Sequence, residues 1–501
     1  MRLIQKLRRR FAAGSAYFLS VVLVGWFLMT GRLSKQIPQG LLLQIGGWKL
    51  SRGHNAVAMR AYLLALQGSP HDMGLRQQIG VTAFLSGDYQ AAENWFAAVA
   101  HHRPFEQRRW QMPDLAFRVL DRSWMLAIGH VAFIDTYIKA ARLGWYPPKT
   151  TLIAYNASNP PTGWPLFKYF ASDITVLAAK GDPDAAVDAV LHGPAAGEIG
   201  AHDRNLMRAS VSQEFWAGPD SEGQIRWFGP LGAAVEAAWK AEGHGALYSL
   251  DADERLAFRR HFNRLYGMPE DTWYVLLHVR EPGFHAKWHR HHPATRNADI
   301  RTYNKIVDFV LSRGGWVVRG GDPSMAPYPP RERVIDYATS DFRSAELDVL
   351  LCADCAYFVG SNSGYSVLPP VFGKRCALTN WSPLGIPNWY LDDVYIPKLV
   401  RHRKLNRFLT FQEMYASTAG WNQFMRDFTG TEWELVDNTP DDLLYVVKEL
   451  HAEVFDEPQD VTAEDEARLG RFNAIALANN GYIGSRMSYQ FLRRHADLLG
   501  D

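Results

Sequence analysis

Two arginines, a serine- and glycine-rich turn and a few histidines are the residues of this sequence whose types and spacing could do chemistry. Arg280 ends a dense apolar run over 274–279, and Arg319 ends another over 316–318. A third apolar run, 357–359, leads into Gly360-Ser361-Asn362-Ser363-Gly364. Guanidinium groups and the open amides of a helix start are what a protein aims at phosphate oxygens. Gly321 and Asp322 turn the chain away from the second run. Asp336 and Tyr337 close a further strand-like segment, where the hydroxyls or base of a ligand could be met. His278, Asn380 and Trp381 lie in or beside such runs as well. For a base that activates a hydroxyl, His130 in Gly129-His130 is the first choice, with Asp135 and Glu281 in reserve.

Each of these has a plainer alternative. Arg280 could pair with Glu281 or Asp299, Arg319 with Asp322, and residues 360–364 could be only a strand-to-helix turn. Asp336 could cap a loop, His278 could be a satisfied interior histidine, and Asn380-Trp381 could be packing. His130 could bond local backbone at a helix start.

The elements that must position these residues alternate. Strands are expected over 274–279, 316–319, 334–337, 357–359 and 375–379, with helices over 299–313 and 345–352 between them. Tyr303, Ile306, Val307 and Val310 give the first helix an apolar face, and Gly314-Gly315 ends it. Such alternation builds a doubly wound parallel sheet, in which ligands lie beyond the carboxyl ends of the strands. A second α/β half is expected upstream: a strand over 124–128, the junction Gly129-His130, a helix over 131–143 and a strand over 151–155. Helices come next over 182–191, 232–242 and 253–265, while 193–224 shows no clear period. Gly267-Met268-Pro269 marks the boundary between the halves.

Formal net charge is +2 over 501 residues, with basic clusters only at the N-terminus and over 398–407, which argues against a nucleic-acid partner. Three cysteines make no disulfide framework, and Cys352 and Cys355 read as packing residues. Arg2, Lys6, Arg8, Arg9 and Arg10 precede an apolar stretch over 11–31, long enough to cross a bilayer, so an uncleaved membrane-anchor helix is expected within residues 1–35. Arg32, Lys35, Lys49 and Arg52 beyond it weaken the charge asymmetry and favour a body facing the cytoplasm. Residues 36–118 read as helical. Pro70 and Pro104 stand 34 residues apart there, with small and aromatic residues spaced as in a tetratricopeptide repeat: a spacer, or a surface for a protein partner. His285, His289, His291 and His292 crowd one loop, but Lys287 and Arg290 among them repel a cation. No metal is expected, and a basic loop closing over a phosphorylated ligand is preferred.

Two Rossmann-like domains facing across a cleft form the GT-B layout, here 119–268 for an acceptor and 269–410 for a donor. A C-terminal helical region, 411–501, would pack back on the body, its helix over 441–454 against the first half. From about residue 124 onward the chain resembles a family of bacterial glycosyltransferases associated with surface-polysaccharide synthesis. The resemblance rests on Ile128-Gly-His130, His278-Val-Arg280-Glu281, Arg296-Asn-Ala-Asp299, residues 315–325 and 334–338, Phe358-Val-Gly-Ser-Asn-Ser-Gly364, residues 378–384, Asn438-Thr-Pro440 and residues 485–492. It leaves out the anchor and the repeat-like region. His278-Val-Arg280 is also similar to the His-x-Arg motif of fucosyltransferase-like enzymes, whose arginine touches the donor diphosphate.

The resemblance implies transfer of a sugar from a nucleotide-diphosphate donor, as substrate rather than cofactor, to a polysaccharide or lipid-linked saccharide at the bacterial inner membrane. The leaving diphosphate gains charge in the transition state, which Arg280, Arg319 and the 361–364 turn would meet. Inversion of configuration through His130 is the expected course. The alternative from another class is a non-catalytic, membrane-tethered scaffold of a polysaccharide assembly complex.

Overall fold

The computed structural model describes residues 39–50, 54–70, 72–109, 116–161, 163–193, 212–213, 215–281, 294–421 and 431–500. The apolar stretch over 11–31 and the loop carrying His285, His289, His291 and His292 lie outside the described residues. Among the described residues no helix is long and apolar enough to cross a membrane. The chain divides into two compact units, Met1–Arg109 and Trp110–Asp501.

The first unit is helical: α1 (Gln39–Leu50), α2 (Asn55–Gly68), α3 (Met73–Leu85) and α4 (Tyr89–Arg109). Its neighbouring helices pack through glycine against aromatic rings. A Cβ on Gly46 of α1 would run into the Tyr62 ring of α2, and one on Gly80 of α3 would come within 2.7 Å of the Phe96 ring of α4. Both members of the second contact lie 34 residues after those of the first, so one helix-pair contact is built twice. Pro104, expected to close a repeat, falls inside α4, which continues to Arg109.

In the second unit, β1 (Phe117–Leu120), α5 (Val131–Arg142), β2 (Thr150–Asn156), β3 (Ile174–Ala179), α6 (Pro183–His192) and β4 (Ser212–Gln213) form the first α/β half. Its parallel sheet has the order β3-β2-β1-β4. A hairpin of β5 (Ala217–Pro219) and β6 (Ile225–Trp227), then α7 (Phe228–Ala241) and α8 (Ala252–Tyr266), lead to the second half.

The expected strand over 124–128 is corrected. Those residues make two short 3-10 turns, and the strand lies upstream at β1. Arg118 interrupts the apolar run of β1 and hid it. Its guanidinium is buried, donating to the Tyr137 hydroxyl at 2.9 Å and lying 4.8 Å from the Tyr146 ring centre. Trp124 and Met125 are apolar because they plug the end of the sheet, not because they extend in it.

The second half contains β7 (Tyr274–His278), α9 (Asn304–Ser312), β8 (Trp316–Arg319), β9 (Val334–Ile335), α10 (Ala345–Asp354), β10 (Tyr357–Ser361), β11 (Cys376–Trp381) and β12 (Val394–Pro397). All of its strands are parallel, and every residue of β7, β10 and β11 is buried, as their unbroken apolar runs require of strands covered on both faces. The order is β16-β12-β11-β10-β7-β8-β9, where β16 (Arg486–Met487) returns from the C-terminal region as an edge strand. In both halves the order reverses beside the first strand, between β1 and β4 and between β7 and β10.

Beyond β12, a small antiparallel sheet joins β13 (Leu399–His402), β14 (Arg407–Phe408) and β15 (Trp433–Val436). The long helices after it are α11 (Pro440–Val454) and α12 (Ala463–Ala478). The expectation that the 441–454 helix lies on the first half is also corrected. Its buried stripe, Leu443, Val446, Val447 and Leu450, covers α9, β11 and β12 of the second half. Asn438 fixes it there: the Asn380 amide donates to the Asn438 side chain at 2.6 Å, and the Asn438 amide donates back to the Asn380 side chain at 2.8 Å.

Candidate functional site

Where the strand order of an open parallel sheet reverses, the connections leave on opposite faces and a crevice opens at the carboxyl edge. In the first half that crevice is roofed by the chain after β1. The Asp121 carboxylate accepts from the Ser123 amide at 2.6 Å, and the Trp124 indole donates to the Gln213 carbonyl at the end of β4 at 2.5 Å. The turn Ile128–His130 is thereby held over the crevice.

His130 Nδ1 lies 2.5 Å from the Ser123 carbonyl, and its ring packs 4.7 Å from Phe215, just after β4. A carbonyl can only accept, so Nδ1 carries the proton and Nε2 keeps its lone pair. Burial lowers the pKa of the imidazole, partly opposed by the Ser123 bond. The neutral tautomer that a general base requires is thus built in.

The second half brings its own ends together. The Arg280 amide donates to the Ser361 hydroxyl at 2.9 Å, tying the end of β7 to the end of β10 across the reversal. Only 5% of Arg280 is exposed, and burial lowers its pKa. Arg296 lies within reach of the Arg280 charge: its pKa is pushed down to about 9 by burial and then by Arg280. The Arg280 charge disfavours a second cation at Arg296, and a bound anion would relieve that. Arg296 was not among the expected site residues. It sits in a short 3-10 turn, Ala294–Arg296, at the end of no strand, and only its place in the resemblance pointed to it.

The halves touch at these two crevices. A Cβ added to Gly129 would lie 2.6 Å from the Gly364 Cα, so only glycines allow the 128–130 turn to meet the 361–364 turn. His130 and Arg280 are therefore joined through one short path: Gly129 against Gly364, and Ser361 to Arg280.

Several expected site residues have other places. Arg319 is fully buried, with Nη1 2.8 Å from Asp336 and Nη2 2.5 Å from Glu281. It braces the ends of β7, β8 and β9, and its charge already has two counterions. Glu281, a reserve base, is one of them; burial raises its pKa against the pull of Arg319. Asp336 is engaged on both oxygens, accepting also from the Tyr328 amide at 2.8 Å and the Thr339 hydroxyl at 2.7 Å. Tyr337 is buried with its hydroxyl on the Ser344 backbone.

His278 is an interior histidine, 3.1 Å from the Gly320 carbonyl, its pKa lowered to about 4 by burial. Gly321 adopts φ +154° under Met325, and the Asp322 carboxylate accepts from the Ser324 amide at 2.9 Å, so this pair shapes a turn. Asn380 and Trp381 are packing: Asn380 holds φ +47° through its exchange with Asn438, and the Trp381 indole donates to the Ile386 carbonyl at 2.8 Å.

The 361–364 turn also differs from the expected cradle. Asn362 donates to the Ser382 carbonyl at 2.7 Å, and the Ser363 hydroxyl accepts from the Tyr365 amide at 3.1 Å, closing a capping box with Ser366. The chain then makes a 3-10 turn, Gly364–Val367, and a single α-helical turn, Leu368–Val371, and not a long helix with a dipole to offer. Asp135, the other reserve base, is fully buried. It lies 2.9 Å from Lys139 and accepts from the Tyr390 hydroxyl at 3.0 Å, while Lys139 also reaches Glu236 at 2.5 Å. This cluster pins α5 and α7 to the second half. The three cysteines are free and buried.

No family model and no curated protein matches the chain. It is similar to the crystal structure of the glycosyl transferase family 9 from Veillonella parvula DSM 2008, at 7% identity and a TM-score of 0.40, over 67% of this chain and 97% of that one. It is also similar to E. coli ADP-heptose lps heptosyltransferase II, at 10% identity and a TM-score of 0.37, over 67% and 98%. Likeness at this level leaves the function to be argued from the chain's own geometry.

Proposed function

We propose that this chain is a glycosyltransferase that moves a sugar from a nucleoside-diphosphate donor to a saccharide acceptor. The observation that carries the proposal is the meeting of two sheet-reversal crevices, one holding a neutral histidine and the other a pair of shielded arginines. The acceptor hydroxyl oxygen attacks the anomeric carbon while the bond from that carbon to the diphosphate oxygen breaks. His130 Nε2 takes the hydroxyl proton. Arg280 and Arg296 receive the charge that develops on the departing diphosphate, which is where preorganised donors lower a barrier most. Attack from the face opposite the leaving group inverts the anomeric centre.

The basic residues and apolar stretch over 1–35 support a place at the bacterial inner membrane, with the catalytic part on the cytoplasmic side. The doubled helix-pair contact of the first unit supports a tetratricopeptide-like module there, open to a protein partner. The test of the activity is a thermal-shift screen of UDP, GDP, ADP and CDP on the full chain, followed by transfer of a labelled sugar from the corresponding donor. A stabilising diphosphate whose effect is lost in Arg280→Ala is expected. A protein indifferent to every diphosphate would be the non-catalytic scaffold instead.

A further inference from the structure

A hollow of about 450 Å³ opens at the carboxyl end of β2, lined by Tyr155, Trp164, Phe167, Lys168 and Tyr169 from the first half and by Glu346 of α10 from the second. Its size falls within the range of small-molecule sites. Trp164 is 38% exposed, although a tryptophan gains most from burial. Tyr155, with its ring 5.3 Å from Phe167, is half-buried and makes no hydrogen bond to the described residues, and neither does the Trp164 indole or the Glu346 carboxylate. The opposite lip is fixed. Lys168 pairs with Glu254 and lies 4.8 Å from the Tyr169 ring centre, while the Tyr169 hydroxyl donates to Glu254 at 2.9 Å.

Aromatic faces with uncommitted donors and acceptors at their edges suit a ligand that is apolar on its ring faces and hydroxylated around its rim. That description fits a pyranose. An alkyl chain would leave the indole N–H facing hydrocarbon, and a phosphorylated group would meet the exposed Glu346 carboxylate while Lys168 is already paired with Glu254. Phe167 also lines a second, small cavity together with Ile128 and Val131, so the wall of the hollow is continuous with the packing under the turn that carries His130. From this we infer that the hollow binds the saccharide part of the acceptor, with Trp164 as the stacking platform and Glu346 accepting from sugar hydroxyls. The inference rests on the transfer reading for the word acceptor, but not for the binding itself.

The experiment probes the full chain on an array of bacterial surface-polysaccharide fragments, then titrates the best-retained oligosaccharide by tryptophan fluorescence. Trp164→Ala should weaken binding tenfold or more and Glu346→Gln several-fold, Trp164→Phe should keep most of it, and Gly181→Ala, where an added Cβ meets nothing within 4 Å, should leave it unchanged. Retention of no fragment, or binding by Trp164→Ala equal to the parent, overturns the proposal. The UDP, GDP, ADP and CDP shifts are measured on the same variants. Saccharide binding that depends on Trp164 in a protein no diphosphate stabilises would sink the transfer reading and leave the hollow standing; the reverse result would sink the hollow alone.

Discussion

Gly129 and Gly364 meet backbone to backbone, so closely that one methyl group on Gly129 would lie 2.6 Å from the Gly364 Cα. The two crevices of the second unit are held in register by that contact. Gly129→Ala should therefore destabilise the fold by about 1–3 kcal/mol, as overpacking does. It should also weaken diphosphate binding, because the Ser361 hydroxyl that accepts from the Arg280 amide moves with the turn. Gly181→Ala, where an added Cβ has nothing within 4 Å, is the control and should leave the melting temperature unchanged.

Arg296 should matter as much as Arg280. Removing either should lower affinity for the stabilising diphosphate at least tenfold, given about 1.5–3 kcal/mol for a hydrogen bond to a charged group. Lysine should not restore it, since an ammonium lacks the planar fork. Because burial and then the Arg280 charge disfavour the Arg296 cation, Arg296→Met should not lower the melting temperature of the ligand-free protein. A large loss of stability would make Arg296 a structural residue.

Arg319 should behave in the opposite way. Its removal leaves Glu281 and Asp336 facing one another without their shared cation. Arg319→Ala should cost about 3–5 kcal/mol in denaturant unfolding, the usual result of breaking a buried pair. A variant that keeps full stability and loses only diphosphate affinity would return Arg319 to the ligand.

Replacing His130 should slow the reaction and spare the donor. His130→Ala is expected to reduce kcat by about 10²–10⁴-fold, the range of general-base catalysis, with the diphosphate thermal shift intact. Since burial lowers the imidazole pKa, the acid limb of kcat/KM should fall below the ordinary histidine value, and His130→Ala should lack that limb.

Stability should depend on pH through His278. Its folded pKa, about 4, lies below the ordinary 6.5. As pH falls through 6.5 the unfolded chain takes up a proton that the folded chain refuses, so stability declines until about pH 4 and then levels. The loss is on the order of 3 kcal/mol. His278→Gln should flatten that part of the stability–pH curve measured by chemical denaturation.

The second half was largely legible because its strands are buried on both faces. Runs such as 274–279 and 357–359 have no other stable place, and the polar residues that end them must lie at the sheet edge. The first half was less so. Its leading strand carries Arg118, whose charge is offset by Tyr137 and Tyr146 from other segments, and no local pattern announces such a partnership. Its apolar turn over 124–128 imitated a strand because a plug for a sheet end needs the same residue types as the sheet.

By itself the sequence determined the strand–helix alternation of the second half, the position of Arg280 at a strand end, and the glycines at 129 and 364, since periodicity and turn chemistry are local properties. Only the tertiary structure decided which polar residues are held by partners within the fold. Arg319, Asp336, Glu281, Asp135 and Asn380 all look functional in one dimension. Each is taken by a partner from another part of the chain, because a buried charge or amide must be satisfied by whatever the fold brings beside it. The same folding that occupies those five brings Arg296 within reach of the Arg280 charge, a relation that the intervening chain conceals.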